Sequence, residues 1–168
     1  CAVVDLGSNS VRLVVFEGLS RNPVAIFNEK AVLRLGRGLA STGRLNPNAI
    51  APSLRVMARY AAIARAMQAD PFEVLATAAV RDASNGPAFR AELEASIPGL
   101  RFRILTGAEE AGLSADGVLS GIPDADGVMA DIGGGSLEVV QLGSLSRQAA
   151  SLGLGVIKLS DRSESDPL

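Results

Sequence analysis

Two short segments of this chain share one pattern, in which an Asp is followed by an apolar residue and then by a run of small residues. This repeat limits the folds that the chain can adopt. Residues 5–10 read Asp-Leu-Gly-Ser-Asn-Ser, and residues 131–138 read Asp-Ile-Gly-Gly-Gly-Ser-Leu-Glu. Each segment follows a short apolar run and precedes a second apolar-rich run, which is typical of a strand, a tight turn and another strand. The sequence therefore predicts two glycine-rich β-hairpins that lie far apart in the chain.

The glycines of these hairpins favour a binding site for an anion. Neither segment has the following helix of a dinucleotide fingerprint or the Gly-Lys-Ser/Thr of a Walker loop. A turn without side chains can still direct backbone N–H groups at a phosphate, with help from the hydroxyls of Ser8, Ser10 and Ser136. Ordinary hairpins, in which glycine supplies only positive φ, are the alternative. Because the pattern occurs twice with the same leading Asp, we favour the phosphate interpretation.

The acids of the two hairpins predict a hard cation. Asp5, Asp131 and Glu138 would repel a bound phosphate unless a cation lay between them. Mg²⁺ prefers a few carboxylates together with water and phosphate oxygens, so it meets this requirement. We therefore expect Mg²⁺ as the cofactor.

Composition excludes several kinds of active site. The 168 residues contain no His, so a Ser-His-Asp triad or a His-ligated zinc is excluded, and acid–base chemistry falls to carboxylates, Lys or Tyr. The single Cys suits a reducing cytoplasm, and no apolar run is long enough to span a bilayer. The net charge of −2 argues against duplex nucleic acid as a partner, although residues 1–45 carry six Lys and Arg against three acids. We expect a cytoplasmic protein with no membrane or nucleic-acid partner.

Periodicity and capping signals predict a mixture of strands and helices. Residues 47–68 have apolar residues at helical spacing behind Asn46, although Pro52 would kink this helix or delay its start. Further helices are predicted over residues 85–97 and from residue 106, and further strands over residues 23–35, 73–77, 101–105 and 149–159. Residues 34–38, which read Arg-Leu-Gly-Arg-Gly, form either a surface turn or a contact to a phosphate chain.

Two adjacent glutamates have different predicted roles. Thr106 and Glu109 have the spacing of a capping box, so Glu109 is assigned to the start of a helix. Glu110 is not needed for the cap, and it shares a helix face with the small residues Ser114 and Gly117. It is either a solvated surface acid or a site residue, and only the phosphate loops favour the second interpretation.

Five motifs together resemble the exopolyphosphatase and guanosine pentaphosphate phosphatase family, Ppx/GppA. They are residues 5–10, 34–36, 76–83, 107–111 and 131–138, and they occur in family order along residues 2–159. The resemblance implies an α/β fold, namely a ribonuclease H-like lobe of the actin, sugar kinase and heat-shock chaperone superfold with a mixed sheet and flanking helices. Residues 1–122 would form this lobe with the first phosphate loop, and residues 123–168 would form the opening strands of a second such lobe.

The resemblance also implies roles for individual residues. Glu110 would be the base that activates the attacking water, beside Glu138, and Arg81 would contact the same phosphoryl group unless it only pairs with Asp82. Mg²⁺ would be held by Asp5, Asp131 and Glu138, with a monovalent cation such as K⁺ as a further candidate. The phosphate would be bound by Ser8, Asn9, Ser10, Gly133, Gly134, Gly135 and Ser136.

The implied activity is release of the terminal phosphate from inorganic polyphosphate or guanosine pentaphosphate, by a protein that is a homodimer at full length. The alternatives are an ATP-dependent kinase or ATPase of the same superfold, and a non-catalytic sensor of phosphorylated nucleotides. Family members are longer than this chain, so we expect its second lobe to be three strands with no covering helices and an exposed apolar face. We also expect the 168 residues alone to be weakly active or inactive.

Overall fold

The computed structural model describes residues 1–143 and 148–165 and contains two β-sheets with flanking helices. The first sheet consists of β1 (Ala2–Leu6), β2 (Ser10–Phe16), β3 (Ala25–Val32), β4 (Phe72–Ala76) and β5 (Arg101–Ile104), in the spatial order β3-β2-β1-β4-β5. This sheet is mixed, as predicted, because β1 pairs antiparallel with β2 and parallel with β4. The second sheet is antiparallel and consists of β6 (Gly127–Ile132), β7 (Leu137–Leu142) and β8 (Ala149–Leu152).

The helices of the described residues are α1 (Leu39–Thr42), α2 (Pro47–Ala66), α3 (Ala78–Asp82), α4 (Gly86–Ser96), α5 (Gly107–Gly121) and α6 (Val156–Ser165). Helix α2 begins where the sequence predicts, and the Asn46 side chain caps it by accepting from the backbone N–H of Asn48. Pro52 lies inside α2 without delaying its start. Among these helices, none is long and apolar enough to cross a membrane.

The main core lies between one face of the first sheet and helices α2 and α4. Val4, Leu13 and Val74 occupy paired positions on three neighbouring strands, so their side chains share this face, and all three are fully buried. Tyr60 of α2 and Leu93 of α4 pack into the same cluster. Each fully buried side chain of this kind contributes roughly 1.5–3 kcal/mol to stability.

Helix α5 covers one face of the second sheet. Ala111 and Ala115 of α5 pack against Met129, Val140 and Leu142 of β6 and β7. On the opposite face, Val128 is 71% exposed and Ile132 is 62% exposed. The prediction of a sheet without any covering helix is therefore wrong, whereas the predicted exposed apolar face is present on one side.

The prediction of one strand over residues 149–159 is wrong beyond Leu152. Strand β8 ends there, and α6 begins at Val156. The first two backbone N–H groups of α6 donate to the carbonyl groups of Gly133 and Gly134 in the second hairpin, at 3.0 and 2.9 Å. A contact with a distant part of the chain thus stabilises the start of this helix, and a local apolar pattern does not report such a contact.

Candidate active site

The two glycine-rich segments form equivalent turns. The backbone N–H of Gly7 donates to the carbonyl of Ser10 at 3.0 Å, and the N–H of Gly133 donates to the carbonyl of Ser136 at 2.9 Å. The same closing hydrogen bond is therefore found in both hairpins, as their shared sequence pattern predicts.

The tips of the two hairpins touch because the second hairpin has no side chains at its tip. A Cβ atom added to Gly134 would lie 3.1 Å from the backbone nitrogen of Asn9, and one added to Gly135 would lie 2.5 Å from Oγ of Ser8. The second distance is too short for any Cβ atom, so this approach requires glycine at position 135.

The hairpins enclose a pocket of roughly 160 Å³. Thr77, at the end of β4, and Glu110, on α5, line it together with residues of both hairpins. The hairpin residues in the lining are Asp5, Gly7, Ser8, Asn9, Ser10, Asp131, Gly133, Gly134, Gly135, Ser136 and Glu138. All the residues predicted to bind phosphate or metal therefore line one pocket, and so do two of the three predicted catalytic residues.

Two carboxylates stand side by side on the second sheet. Asp131 of β6 is directly opposite Glu138 of β7, so both side chains lie on the face that α5 covers. Ser114 of α5 donates from Oγ to Oδ2 of Asp131 at 2.8 Å, and Ser151 of β8 donates from Oγ to Oε1 of Glu138 at 2.8 Å. Glu138 is only 1% exposed. Neighbouring hydroxyl groups thus orient both carboxylates.

Asp5 lines the pocket from the end of β1. Desolvation raises the pKa of Asp5, and the negative charge of Asp131 raises it further, while Arg12 and Lys30 lower it. No three acidic or Cys side chains of residues 1–143 and 148–165 converge as a ligand set for a metal. Mg²⁺ usually takes only one or two carboxylates and completes its octahedron with water and phosphate oxygens. Asp5, Asp131 and Glu138 all line the pocket, and their carboxylate oxygens are ligands of the kind that Mg²⁺ prefers.

Glu109 and Glu110, which are adjacent at the start of α5, have different roles. Thr106 Oγ1 accepts from the backbone N–H of Glu109 at 3.2 Å, and the Thr106 N–H donates to Oε2 of Glu109 at 2.8 Å. This is the predicted capping box, and it leaves Glu110 free to line the pocket. Burial raises the pKa of Glu110; a hydrogen bond from Arg81 opposes this increase, and the charges of Glu138 and Asp5 add to it.

Arg81 does not line the pocket but contacts Glu110. Its Nη1 donates to Oε2 of Glu110 at 2.9 Å and to the carbonyl of Leu105 at 3.0 Å. Its Nε donates to Oδ1 of Asp82 at 3.2 Å, so the alternative pairing that the sequence left open is also present. Lys158 of α6 donates from Nζ to Oδ2 of Asp82 at 2.7 Å. This contact connects the Arg81 and Asp82 pair to α6.

Sequence reasoning missed Thr77 and the start of α6 as parts of the site. Thr77 follows β4, and the parallel pairing of β4 with β1 brings it beside the first hairpin. The carboxyl ends of parallel strands meet at one edge of a sheet, so this signal could have found Thr77. Before α6, a Cβ atom on Gly155 would lie 2.3 Å from the carbonyl carbon of Gly135, so glycine is required there as well.

Comparison with known proteins identifies the family of this chain. The profile of the Ppx/GppA phosphatase family matches residues 14–167. The chain belongs to the Ppx/GppA phosphatase family. Exopolyphosphatase 2 of Mycobacterium tuberculosis is 37% identical over 178 aligned positions, which cover 99% of this chain and 56% of that protein.

Solved structures of Ppx/GppA proteins have the same fold. An exopolyphosphatase from Cytophaga hutchinsonii matches 96% of this chain and 52% of its own, with 26% identity and a TM-score of 0.86. The Ppx/GppA family member from Aquifex aeolicus matches 95% of this chain and 53% of its own, with 26% identity and a TM-score of 0.80. The predicted fold class is thus confirmed, and this Ppx/GppA chain spans about half the length of the relatives that it matches.

Proposed function

We propose that the intact protein is a phosphohydrolase that releases the terminal phosphate of inorganic polyphosphate or guanosine pentaphosphate. The observation that carries the proposal is the position of Glu110, a half-buried carboxylate that shares one pocket with two glycine-rich hairpins. The family of the chain and the exopolyphosphatase among its relatives support the same conclusion.

Glu110 is the proposed general base. A carboxylate with a raised pKa is a better proton acceptor than an exposed one, and the pKa of Glu110 is raised. One proton of the attacking water moves to a carboxylate oxygen of Glu110 while the water oxygen bonds to the terminal phosphorus. The bond from that phosphorus to the bridging oxygen breaks, and the shortened chain leaves with the electron pair.

The hairpins hold the transferred group. Backbone N–H groups of the tips and the hydroxyls of Ser8, Ser10 and Ser136 bind the phosphoryl oxygens, and Arg81 keeps Glu110 in position. Asp5 and Asp131 would hold Mg²⁺, which would supply positive charge to offset the negative charge of the phosphates. Positioning and charge neutralisation are most of what phosphoryl transfer requires, so the absence of His is no obstacle.

The test compares two adjacent glutamates in the intact protein. Phosphate release from polyphosphate and from guanosine pentaphosphate is measured with Mg²⁺ and with a chelator. Loss of a positioned base in Glu110→Gln should lower kcat by roughly 10²–10⁴-fold. Glu109→Gln is the matched control, because it makes the same chemical change one residue away and glutamine still completes a capping box.

Each outcome has a distinct meaning. Metal-dependent release that collapses only in Glu110→Gln supports the mechanism, and the better substrate identifies the activity. Equal loss in both variants would indicate a damaged helix and remove the support for Glu110 as the base. No release from either substrate would refute the proposed function.

A further inference from the structure

A second pocket of roughly 280 Å³ lies beside the phosphate pocket. Asn9 lines both pockets, so the two spaces share a wall at the tip of the first hairpin. One side of the second pocket is formed by residues 34–38, here called the arginine loop, which contributes Arg34 and Arg37. The other side is formed by the first part of α6. We call this space the arginine pocket.

Backbone hydrogen bonds join the arginine loop to the first hairpin. The N–H groups of Leu33 and Arg34 donate to the carbonyl of Asn9 at 3.0 and 2.8 Å, and the N–H of Gly36 donates to the carbonyl of Ser8 at 2.8 Å. A Cβ atom on Gly36 would lie 2.9 Å from Cβ of Ser8. The loop therefore packs directly on the hairpin that would hold the terminal phosphate, and its arginines have a defined position relative to that phosphate.

Arg34 adopts a backbone conformation that its side chain disfavours. Its φ is 56°, in the left-handed region where residues other than Gly, Asn and Asp are uncommon. Strain of this kind occurs where the surrounding structure imposes it and is frequent at ligand sites. Here the hydrogen bonds to Asn9 impose it, and they place Arg34 in the wall of the arginine pocket.

The arginine pocket has an excess of positive charge. Within residues 1–143 and 148–165, the guanidinium groups of Arg34 and Arg37 form no ion pair or hydrogen bond, so their N–H donors are available. Asp161 is the acid among the described lining residues, and its Oδ2 accepts from the backbone N–H of Gly38 at 2.8 Å. Two planar cations with open donors match the geometry of phosphate oxygens.

The geometry points to a subsite for the phosphates that follow the scissile bond. The terminal phosphate lies between the two hairpins, and the next phosphates of the chain pass Asn9 and bind to Arg34 and Arg37 in the arginine pocket. This inference rests on the proposed function and adds where the rest of the substrate lies. Both polyphosphate and guanosine pentaphosphate carry such phosphates, so the subsite serves the shared part of the two substrates.

The experiment uses Arg34→Gln and Arg37→Gln in the intact protein, with Arg55→Gln as the matched control on the exposed side of α2. Each change removes one positive charge, and thermal unfolding checks that the fold is kept. Loss of a charge-assisted hydrogen bond should lower kcat/KM roughly 10- to 100-fold for either arginine of the pocket and leave it unchanged for Arg55→Gln. A second measurement is the binding of tripolyphosphate by calorimetry in a Glu110→Gln background, which needs no turnover.

The outcomes separate this inference from the proposed function. Weaker tripolyphosphate binding in both pocket variants, with normal binding in the control, supports the subsite even if the intact protein releases no phosphate. If both pocket variants bind tripolyphosphate as tightly as their parent and keep its kcat/KM, the inferred subsite is wrong. The proposed hydrolase activity is not affected by that result. Loss restricted to guanosine pentaphosphate, with polyphosphate unaffected, would also overturn it, because the pocket would then hold the nucleoside.

Discussion

The guanidinium of Arg81 donates a 2.9 Å hydrogen bond to the carboxylate of Glu110, across 29 positions of sequence. Arg81 lies on α3 and Glu110 near the start of α5, so the contact joins two helices that follow neighbouring strands of the first sheet. Burial raises the pKa of Glu110 and Arg81 opposes the increase. Together with the charges of Glu138 and Asp5, which also raise this pKa, these effects set the pH at which the proposed base becomes ionised.

Removal of Arg81 should move the acid limb of the pH–rate profile to higher pH. Arg81→Gln deletes both the hydrogen bond and the positive charge that lower the pKa of Glu110, so a higher pH is needed to ionise the base. The measurement is kcat/KM against pH, because its acid limb reports the base of the free enzyme. Arg90→Gln is the control, because it removes an exposed pair with Glu94 and a contact of the guanidinium with the Phe102 ring, neither of which involves Glu110. An acid limb that stays in place would show that the titrating base is not Glu110.

Glu110→Gln should be more stable than the parent at neutral pH, and the difference should disappear in acid. The folded-state pKa of Glu110 is raised above its ordinary value of 4.5, so the protonated form stabilises the fold relative to the ionised form. That contribution is fully present below about pH 4.5 and is lost as the pH rises through the folded-state pKa. Glutamine cannot ionise, so the variant keeps its stability across this range. Thermal unfolding between pH 4 and 8 measures the difference, and a difference that does not change with pH would contradict the assignment.

Local sequence patterns predicted the parts of the site that depend on neighbouring residues. The two hairpins, the capping box at Thr106 and the cap at Asn46 are all closed by hydrogen bonds between residues within three positions of one another. Spacing alone specifies such features, because the donors and acceptors are fixed by short-range backbone geometry.

Longer-range features were not predictable from the sequence. The five-residue helix α3 has no side-chain cap hydrogen bond from Thr77, and α1 is preceded by Gly38 without one, so neither has a start signal. Helix α6 begins against the second hairpin, and α5 packs on a sheet whose strands follow it in sequence. These arrangements depend on which surfaces meet in the folded chain, and periodicity carries no information about that choice.

Two glycines in different environments should respond in opposite directions to alanine. In Gly135→Ala, the new methyl group would lie 2.5 Å from Oγ of Ser8 and 2.7 Å from Cβ of Ala78, so we expect a loss of about 1–3 kcal/mol and weaker phosphate binding. In Gly112→Ala, the methyl group meets nothing within 4 Å inside α5, so we expect a gain of about 0.5–1 kcal/mol. Urea unfolding measures both changes. A neutral Gly135→Ala would mean that the hairpin tips are not in contact.

Ser151→Ala should destabilise the protein through Glu138. The carboxylate of Glu138 is 1% exposed, and Ser151 donates to its Oε1 at 2.8 Å. Deleting the hydroxyl leaves a buried carboxylate with one donor fewer, which costs about 1–3 kcal/mol. Ser120→Ala is the control, because its hydroxyl makes only an exposed contact to Asn22 and such surface changes stay within about 0.5 kcal/mol. Equal urea midpoints for the two variants would show that the hydroxyl of Ser151 does not stabilise the buried acid. A selective loss in Ser151→Ala would show that β8 supports the carboxylate pair of the second hairpin.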